Sequence, residues 1–265
     1  MFKVDLLIID PQIDFCDPNG SLYVNGADKD MERLANFIVR TGNKLNDIHV
    51  TLDTHHLLDI GHPLFWIDAS GKHPAPFTII TYDDVKVGKW RTTVPGAMDR
   101  ATAYVKALAD NKRYLLCVWP PHCLIGSKGT QVYPEVWKAL SDWEGAHVAF
   151  VDYVTKGSNM WTEHYSAVLA DVPDPIDPST QLNTRLIQRL QEVDEIIITG
   201  EALSHCVANT IRDIADNFGE ENIKKFVLLD DCSSSVGGFE NLGTDFVKEM
   251  TGRGMRVAKS TDVLS

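Results

Sequence analysis

The chain is predicted to adopt a three-layer α/β/α fold around a mostly parallel central sheet, and three observations carry that prediction. Short β-branched or leucine-rich runs alternate with longer amphipathic stretches over the whole length. The runs are flanked by turn residues and read as buried strands. Unusual chemistry collects just after several of them, where ligands sit in open α/β sheets.

In chain order, strands are expected at residues 4–9, 49–53, 77–81, 114–118, 147–151, 195–199, 226–229 and 255–258. Helical patterns fill the gaps at 29–45, 95–111, 135–143, 161–169, 183–193, 204–217 and 240–252. Within 183–193, Leu186, Ile187, Leu190 and Val193 follow the spacing of one helix face. The length of 265 residues allows one or two domains at about 150 residues each, although single α/β domains reach about 250.

Composition narrows the function. With 25 Lys+Arg against 37 Asp+Glu the net charge is −12, which argues against nucleic-acid or anionic-membrane partners bound by charge. A 44% hydrophobic and 23% charged content is ordinary globular usage and excludes a disordered reading. No run of eighteen apolar residues occurs, and the stretch from Met1 to Asp10 is strand-like with an acid inside it rather than a signal peptide, so a cytoplasmic protein is expected. Five cysteines (Cys16, Cys117, Cys123, Cys206, Cys232) form no Cys-x-x-Cys pair and are expected to be free thiols. Dinucleotide, P-loop, serine-hydrolase and His-Glu-x-x-His signatures are all missing.

Asp10 follows the first strand, Asp53-x-His55 the second, and Gly200-Glu-Ala-Leu-Ser-His-Cys206 the sixth, so they converge if the sheet forms. At the start of a helix, unpaired amides and the positive helix end stabilise a thiolate, which makes Cys206 the most nucleophile-like of the five. By position alone it could equally be a small core cysteine, Asp10 a capping acid and Lys156 a solvated loop lysine. His205 lies beside Cys206, but adjacent helical residues point about 100° apart, so a Cys–His pair is disfavoured.

Taken together the motifs resemble the isochorismatase-like cysteine hydrolases, and within them the nicotinamidase branch. Asp10-Pro-Gln12-Ile-Asp14-Phe15 with Gly20-Ser-Leu22 is similar to the family's opening, and Asp53-Thr-His55 to its metal motif. Trp119-Pro-Pro-His122-Cys123 through Gly129 resembles its Trp-Pro-x-His-Cys segment. Lys156-Gly157 followed by Tyr165-Ser166-Ala167 resembles its lysine loop, and Gly200-Glu-Ala202 through Cys206-Val207 its nucleophile loop.

The resemblance implies a catalytic triad of Asp10, Lys156 and Cys206, an oxyanion hole from the amides of Ala202 and Cys206, and a cis peptide at Glu201–Ala202. It also implies a metal set of Asp53, His55 and His122, with His62 a candidate fourth ligand and His56 an ambiguity. Such a set suits zinc, with iron or manganese as alternatives. Phe15, Trp119 and Tyr165 would contact the substrate. The implied activity is hydrolysis of nicotinamide to nicotinate and ammonia through a cysteine thioester. Two rivals stand beside it: the same chemistry on another small amide, carbamoyl or ureido compound, and an idle binding scaffold. Residues 1–265 are expected to form one domain, with an insertion at about 63–112 that could lid the pocket, enlarge it or form an oligomer contact.

Overall fold

The structure, a computed structural model, describes residues 2–265. The chain runs β1 (Val4–Ile9), α1 (Ile13–Cys16), α2 (Ala27–Thr41), β2 (Asp47–Asp53), β3 (Trp66–Ile67), β4 (Ile79–Ile80), α3 (Tyr82–Lys86) and β5 (Arg91–Thr92). It continues with α4 (Met98–Asn111), β6 (Leu116–Cys117), α5 (Pro134–His147), β7 (Asp152–Lys156), α6 (Thr184–Gln191) and β8 (Glu195–Gly200). Last come α7 (Ala208–Asp216), β9 (Phe226–Leu229), α8 (Glu240–Gly252) and β10 (Arg256–Ala258).

Six strands form one sheet in the order β10-β9-β8-β1-β2-β7, all parallel. All six residues of β1 are buried, as a central strand covered on both faces requires. Helices supply the cover. On α2, Met31, Leu34, Phe37 and Ile38 turn one stripe inward at helical spacing. That stripe meets α5, where Val136, Ala139, Leu140 and Trp143 are buried and the Trp143 indole N–H donates to the Gly42 carbonyl at 3.0 Å. Burying each such large apolar side chain contributes roughly 1.5–3 kcal/mol. Helix α6 presents Leu186, Ile187 and Leu190, and the Asn183 side chain caps it by accepting the Leu186 N–H at 3.1 Å. No helix among the described residues is long and apolar enough to cross a membrane.

Four expected elements differ. Residues 147–151 are not a strand: α5 runs on through His147, Val148 takes a left-handed φ of 51°, and the strand is β7, in register with β2 from His49↔Asp152 to Asp53↔Lys156. The runs at 77–81 and 114–118 shrink to the two-residue strands β4 and β6, which pair antiparallel with each other outside the main sheet. Residues 161–169 form turns instead of a helix. Their backbone is claimed by side chains: Trp161 N–H by Asn159, Glu163 N–H by the Tyr104 hydroxyl and Tyr165 N–H by Asp171. Those bonds compete with the helical ladder and win.

Residues 63–112 contribute β3, β4, α3, β5 and α4. Phe65, Trp66, Ile80, Tyr104 and Leu108 from this stretch join Ile60, Leu116 and Val118 in a second apolar cluster beside the main core.

Candidate active site

Four adjacent strands, β7, β2, β1 and β8, bring their carboxyl ends to one place, and each ends in a motif residue or immediately before one. Asp10 follows β1 in a left-handed conformation (φ 44°), rare for a residue with a side chain, and its N–H is held by the Thr51 carbonyl at 3.2 Å. The Thr51 hydroxyl donates to Asp10 Oδ1. Lys156, the last residue of β7 rather than a loop lysine, lies opposite Asp53 in the β2–β7 register. Its Nζ is 2.9 Å from Asp10 Oδ2, 3.1 Å from Asp53 Oδ1 and 3.6 Å from Cys206 Sγ.

Strand β8 delivers the cysteine. Gly200 pairs with Ile9 at φ 110°, and a Cβ there would fall 2.0 Å from the Ile9 carbonyl oxygen, so glycine is required. The Glu201–Ala202 peptide is cis, as the resemblance implies. Cys206 sits within a π-helical turn, Leu203–Val207, before α7 begins, an irregularity often found at functional sites. Among the described residues the Ala202 N–H has no acceptor, which leaves it free for an incoming oxygen.

Burial decides the resting protonation. It pushes the Cys206 thiol well up, against the pull of Lys156, so the expected thiolate is not the resting form. Asp10 is also raised, by burial first, with Lys156 opposing. Burial works against the Lys156 charge, yet the Asp10 and Asp53 carboxylates hold its pKa well above the lysine range. The site therefore pairs a thiol with a buried carboxylate whose raised pKa makes it a stronger base than an exposed aspartate. The remaining cysteines are buried and free; Cys117 and Cys232 are pushed up to about 12 by burial.

Asp53, His55 and His122 form the second constellation, one ligand atom from each lying within 4.8 Å of the others. Asp53 Oδ2 is 3.0 Å from His55 Nε2 and 3.4 Å from His122 Nε2. His55 turns Nδ1 to Asp59 at 3.1 Å, and His122 turns Nδ1 to the Pro120 carbonyl at 2.9 Å. Both Nε2 atoms are thereby turned to the Asp53 carboxylate, a donor set and outer-sphere pattern that could hold a divalent cation. His62 is buried, held neutral with its pKa lowered to about 4 by burial first, and its Nε2 lies 3.4 Å from His122 Nδ1, outside the tightest group. The His56 side chain is exposed and only its carbonyl takes part, accepting from His62 Nδ1.

A small cavity of about 30 Å³ connects the two sets, walled by Phe15, Trp119, His122, Tyr165, His205 and Cys206. It has room for about one water, so a pyridine-sized ring enters only as wall side chains shift. Phe15 packs against His122 at 5.4 Å, and the Trp119 indole N–H donates to the Tyr165 hydroxyl at 2.9 Å. His205 stacks on Tyr114 and bonds Ser204, away from a general-base role. A larger groove of about 670 Å³, beside Trp137 and Tyr153, contains none of these residues.

Four neighbours went unassigned in the sequence. Gln12 clamps both backbone groups of Asp53, accepting its N–H at 2.7 Å and donating to its carbonyl at 2.7 Å. Asp59 orients His55, a role signalled by a carboxylate four residues after a histidine. Glu163 and His164 wall the cavity from the segment expected to be helical; burial raises Glu163 and lowers His164 to about 3.

No family model matches the chain. It is 25% identical over 225 residues to the nicotinamidase of Saccharomyces cerevisiae, covering 85% of each chain. Among solved structures it is similar to the yeast nicotinamidase Pnc1p bound to the inhibitor nicotinaldehyde (TM-score 0.68, 20% identity, 97% of this chain and 99% of that one). It is also similar to the Pyrococcus horikoshii pyrazinamidase in complex with zinc (TM-score 0.56, 18% identity, 97% and 99%). The chain thus shares its fold with these solved structures, and over most of its length its sequence is similar to that of the yeast nicotinamidase.

Proposed function

We propose that the chain is a nicotinamidase, hydrolysing nicotinamide to nicotinate and ammonia, with Asp10, Lys156 and Cys206 as its catalytic residues. The observation that carries the reading is the contact of Lys156 Nζ with Asp10, Asp53 and Cys206 at the edge of an aromatic-walled cavity. The relatives named for nicotinamidase and pyrazinamidase activity support the same substrate class.

In this mechanism Asp10 takes the Cys206 proton as sulfur attacks the carboxamide carbon, and Lys156 holds the carboxylate and the developing thiolate in register. The N–H groups of Ala202 and Cys206 receive the oxyanion, each such donor being worth about 3 kcal/mol of barrier. Asp10 returns the proton to the leaving nitrogen, ammonia departs, and a thioester remains. The same carboxylate then removes a proton from water, which attacks the thioester, releases nicotinate and restores the thiol.

Asp53, His55 and His122 would hold a divalent cation, zinc first, which supplies a Lewis-acid anchor for the pyridine nitrogen. His62 is a candidate fourth ligand. Phe15, Trp119 and Tyr165 would contact the ring. Because Asp10 and Cys206 serve one site, we read residues 1–265 as one domain with 63–112 inserted into it.

The deciding experiment is ammonia release from nicotinamide by metal-replete protein. Turnover is expected, with Cys206→Ala lowering kcat by on the order of 10⁴–10⁶-fold. No ammonia from nicotinamide, or unchanged turnover in Cys206→Ala, overturns the reading.

A further inference from the structure

Behind the nucleophile turn lies a pair of acids that the proposed reaction does not use. Glu201, between Gly200 and Ala202, is fully enclosed, and Asp30 on α2 is 3% exposed. Ser234 connects them: its N–H donates to Glu201 Oε2 at 3.0 Å and its hydroxyl to Asp30 Oδ2 at 2.5 Å. The Ser234 carbonyl accepts the Leu203 N–H at 2.8 Å, so one serine holds both acids and the first residue of the π-helical turn.

The local charges do not balance if both acids are ionised. Arg33 is the cation at the pair, and its Nη2 is already committed to Asp30 Oδ1 at 2.5 Å. Glu201 Oε1 is buried and, among the described residues, receives no hydrogen bond. Through its N–H and its hydroxyl, Ser234 ties the two carboxyl groups to one residue. An enclosed oxygen with no donor, in a carboxyl group tied through one serine to a second buried acid, is where a proton belongs.

We propose that Glu201 is held as the neutral acid, donating from Oε1 to the Asp30 carboxylate, and that this carboxyl pair is a positioning device for the Ala202 N–H. It touches no reacting atom. It fixes the residue before Ala202 to α2 and to the Ser234 loop, and so sets where the proposed oxyanion donor points. Burial raises the Glu201 pKa, with the Asp30 charge adding to it, in keeping with that protonation state.

The kinetic arm of the test rests on the proposed nicotinamidase reading, and the infrared arm does not. Glutamine mimics the neutral acid, because its amide can accept from Ser234 and donate to Asp30. A misplacement of about 1 Å can cost about 100-fold in rate, so Glu201→Ala is expected to lower kcat by about 10–100-fold with KM little changed. Glu201→Gln should restore kcat close to the parent value. In difference infrared spectra at pH 7, the parent should show the C=O stretch of a protonated carboxyl group that Glu201→Gln lacks. A parent-minus-Glu201→Gln spectrum showing carboxylate bands instead, or a Glu201→Gln enzyme as slow as Glu201→Ala, overturns the proposal. If Glu201→Ala does not fold, or the parent does not turn over nicotinamide, the infrared comparison still decides it.

Discussion

Lys156 is the residue whose removal tests the site most directly, because its ammonium is 1% exposed and lies between two buried carboxylates at 2.9 and 3.1 Å. At an effective dielectric constant of about 20, unit charges about 3 Å apart attract by roughly 5–6 kcal/mol. Desolvation of the lysine offsets part of that, and breaking a buried pair typically costs about 3–5 kcal/mol because the remaining charges are left unpaired. Lys156→Met keeps most of the stem volume and deletes the charge, so it should destabilise the fold by about that amount. At about 2 °C per kcal/mol for a chain of this size, the melting temperature should fall by about 6–10 °C. Urea unfolding supplies the free energy and calorimetry the temperature. A double-mutant cycle with Asp10→Asn should return a coupling above about 1 kcal/mol, since the two residues are in direct contact. If Lys156→Met unfolds with the parent, or the two substitutions are additive, the ammonium is not holding the carboxylates and the reasoning about the triad fails.

Three further outcomes follow from other parts of the molecule. His49 is enclosed at the opposite end of the strands, 3.2 Å from Asp5 and 3.0 Å from Asp152; burial works against its charge, but the two acids outweigh it and its pKa is raised. A raised folded-state value gives stability that is fully present below the unfolded histidine pKa of about 6.5 and is lost as pH rises through the folded value. The stability gap between parent and His49→Gln, read by urea unfolding, should therefore shrink as pH is raised from 6; a gap that widens refutes the pairing. Gly200→Ala should cost about 3 kcal/mol or more, since it combines a positive φ with a Cβ 2.0 Å from the Ile9 carbonyl, and normal stability of that variant would contradict the strand-end geometry. His122→Ala should abolish stoichiometric divalent-metal content in elemental analysis while leaving the alkylation rate of Cys206 within a few-fold, because the hydrogen bond to sulfur comes from Lys156. Retained metal would remove His122 from the proposed ligand set.

The parts of the fold legible in the sequence are those fixed by local pattern. β1 is apolar but for Asp5, the four residues of β9 are a continuous apolar run, and the face of α6 declares itself by spacing. The parts that were not legible are fixed by side-chain and strand partners that local apolar spacing does not encode. Residues 161–169 carry a helix-compatible pattern, yet Tyr104 and Asp171 take their amides, and neither contact is visible before the chain folds. β7 is an edge strand with Tyr153 partly exposed, so it lacks the apolar continuity that marks a central strand, and its register with β2 is what defines it. In the site, motif order identified the residues that meet around Lys156. Gln12 went unassigned because its task is to bond the backbone of Asp53, which no side-chain spacing encodes.

The protonation of the site also differs from what position alone suggested, and the difference bears on how the reaction would start. A helix N-terminus argues for a resting thiolate at Cys206, but the first turn is π-helical and the sulfur is enclosed, so the cost of burying a third anion beside Asp10 and Asp53 exceeds what one ammonium returns. With Lys156 already paired to two carboxylates, the stable arrangement is a neutral thiol next to a buried base. Deprotonation is then coupled to arrival of the amide, whose developing oxyanion takes the negative charge onto the backbone donors as sulfur attacks. That coupling makes a specific demand on reactivity: a neutral alkylating agent without an oxyanion should modify Cys206 slowly at pH 7, whereas a pyridine aldehyde, which offers both an electrophilic carbon and an oxygen for the Ala202 amide, should add readily and protect the thiol. Fast alkylation at pH 7 in the absence of any such ligand would instead mean a resting thiolate, and the assignment of Asp10 as the acceptor of the Cys206 proton would have to be abandoned.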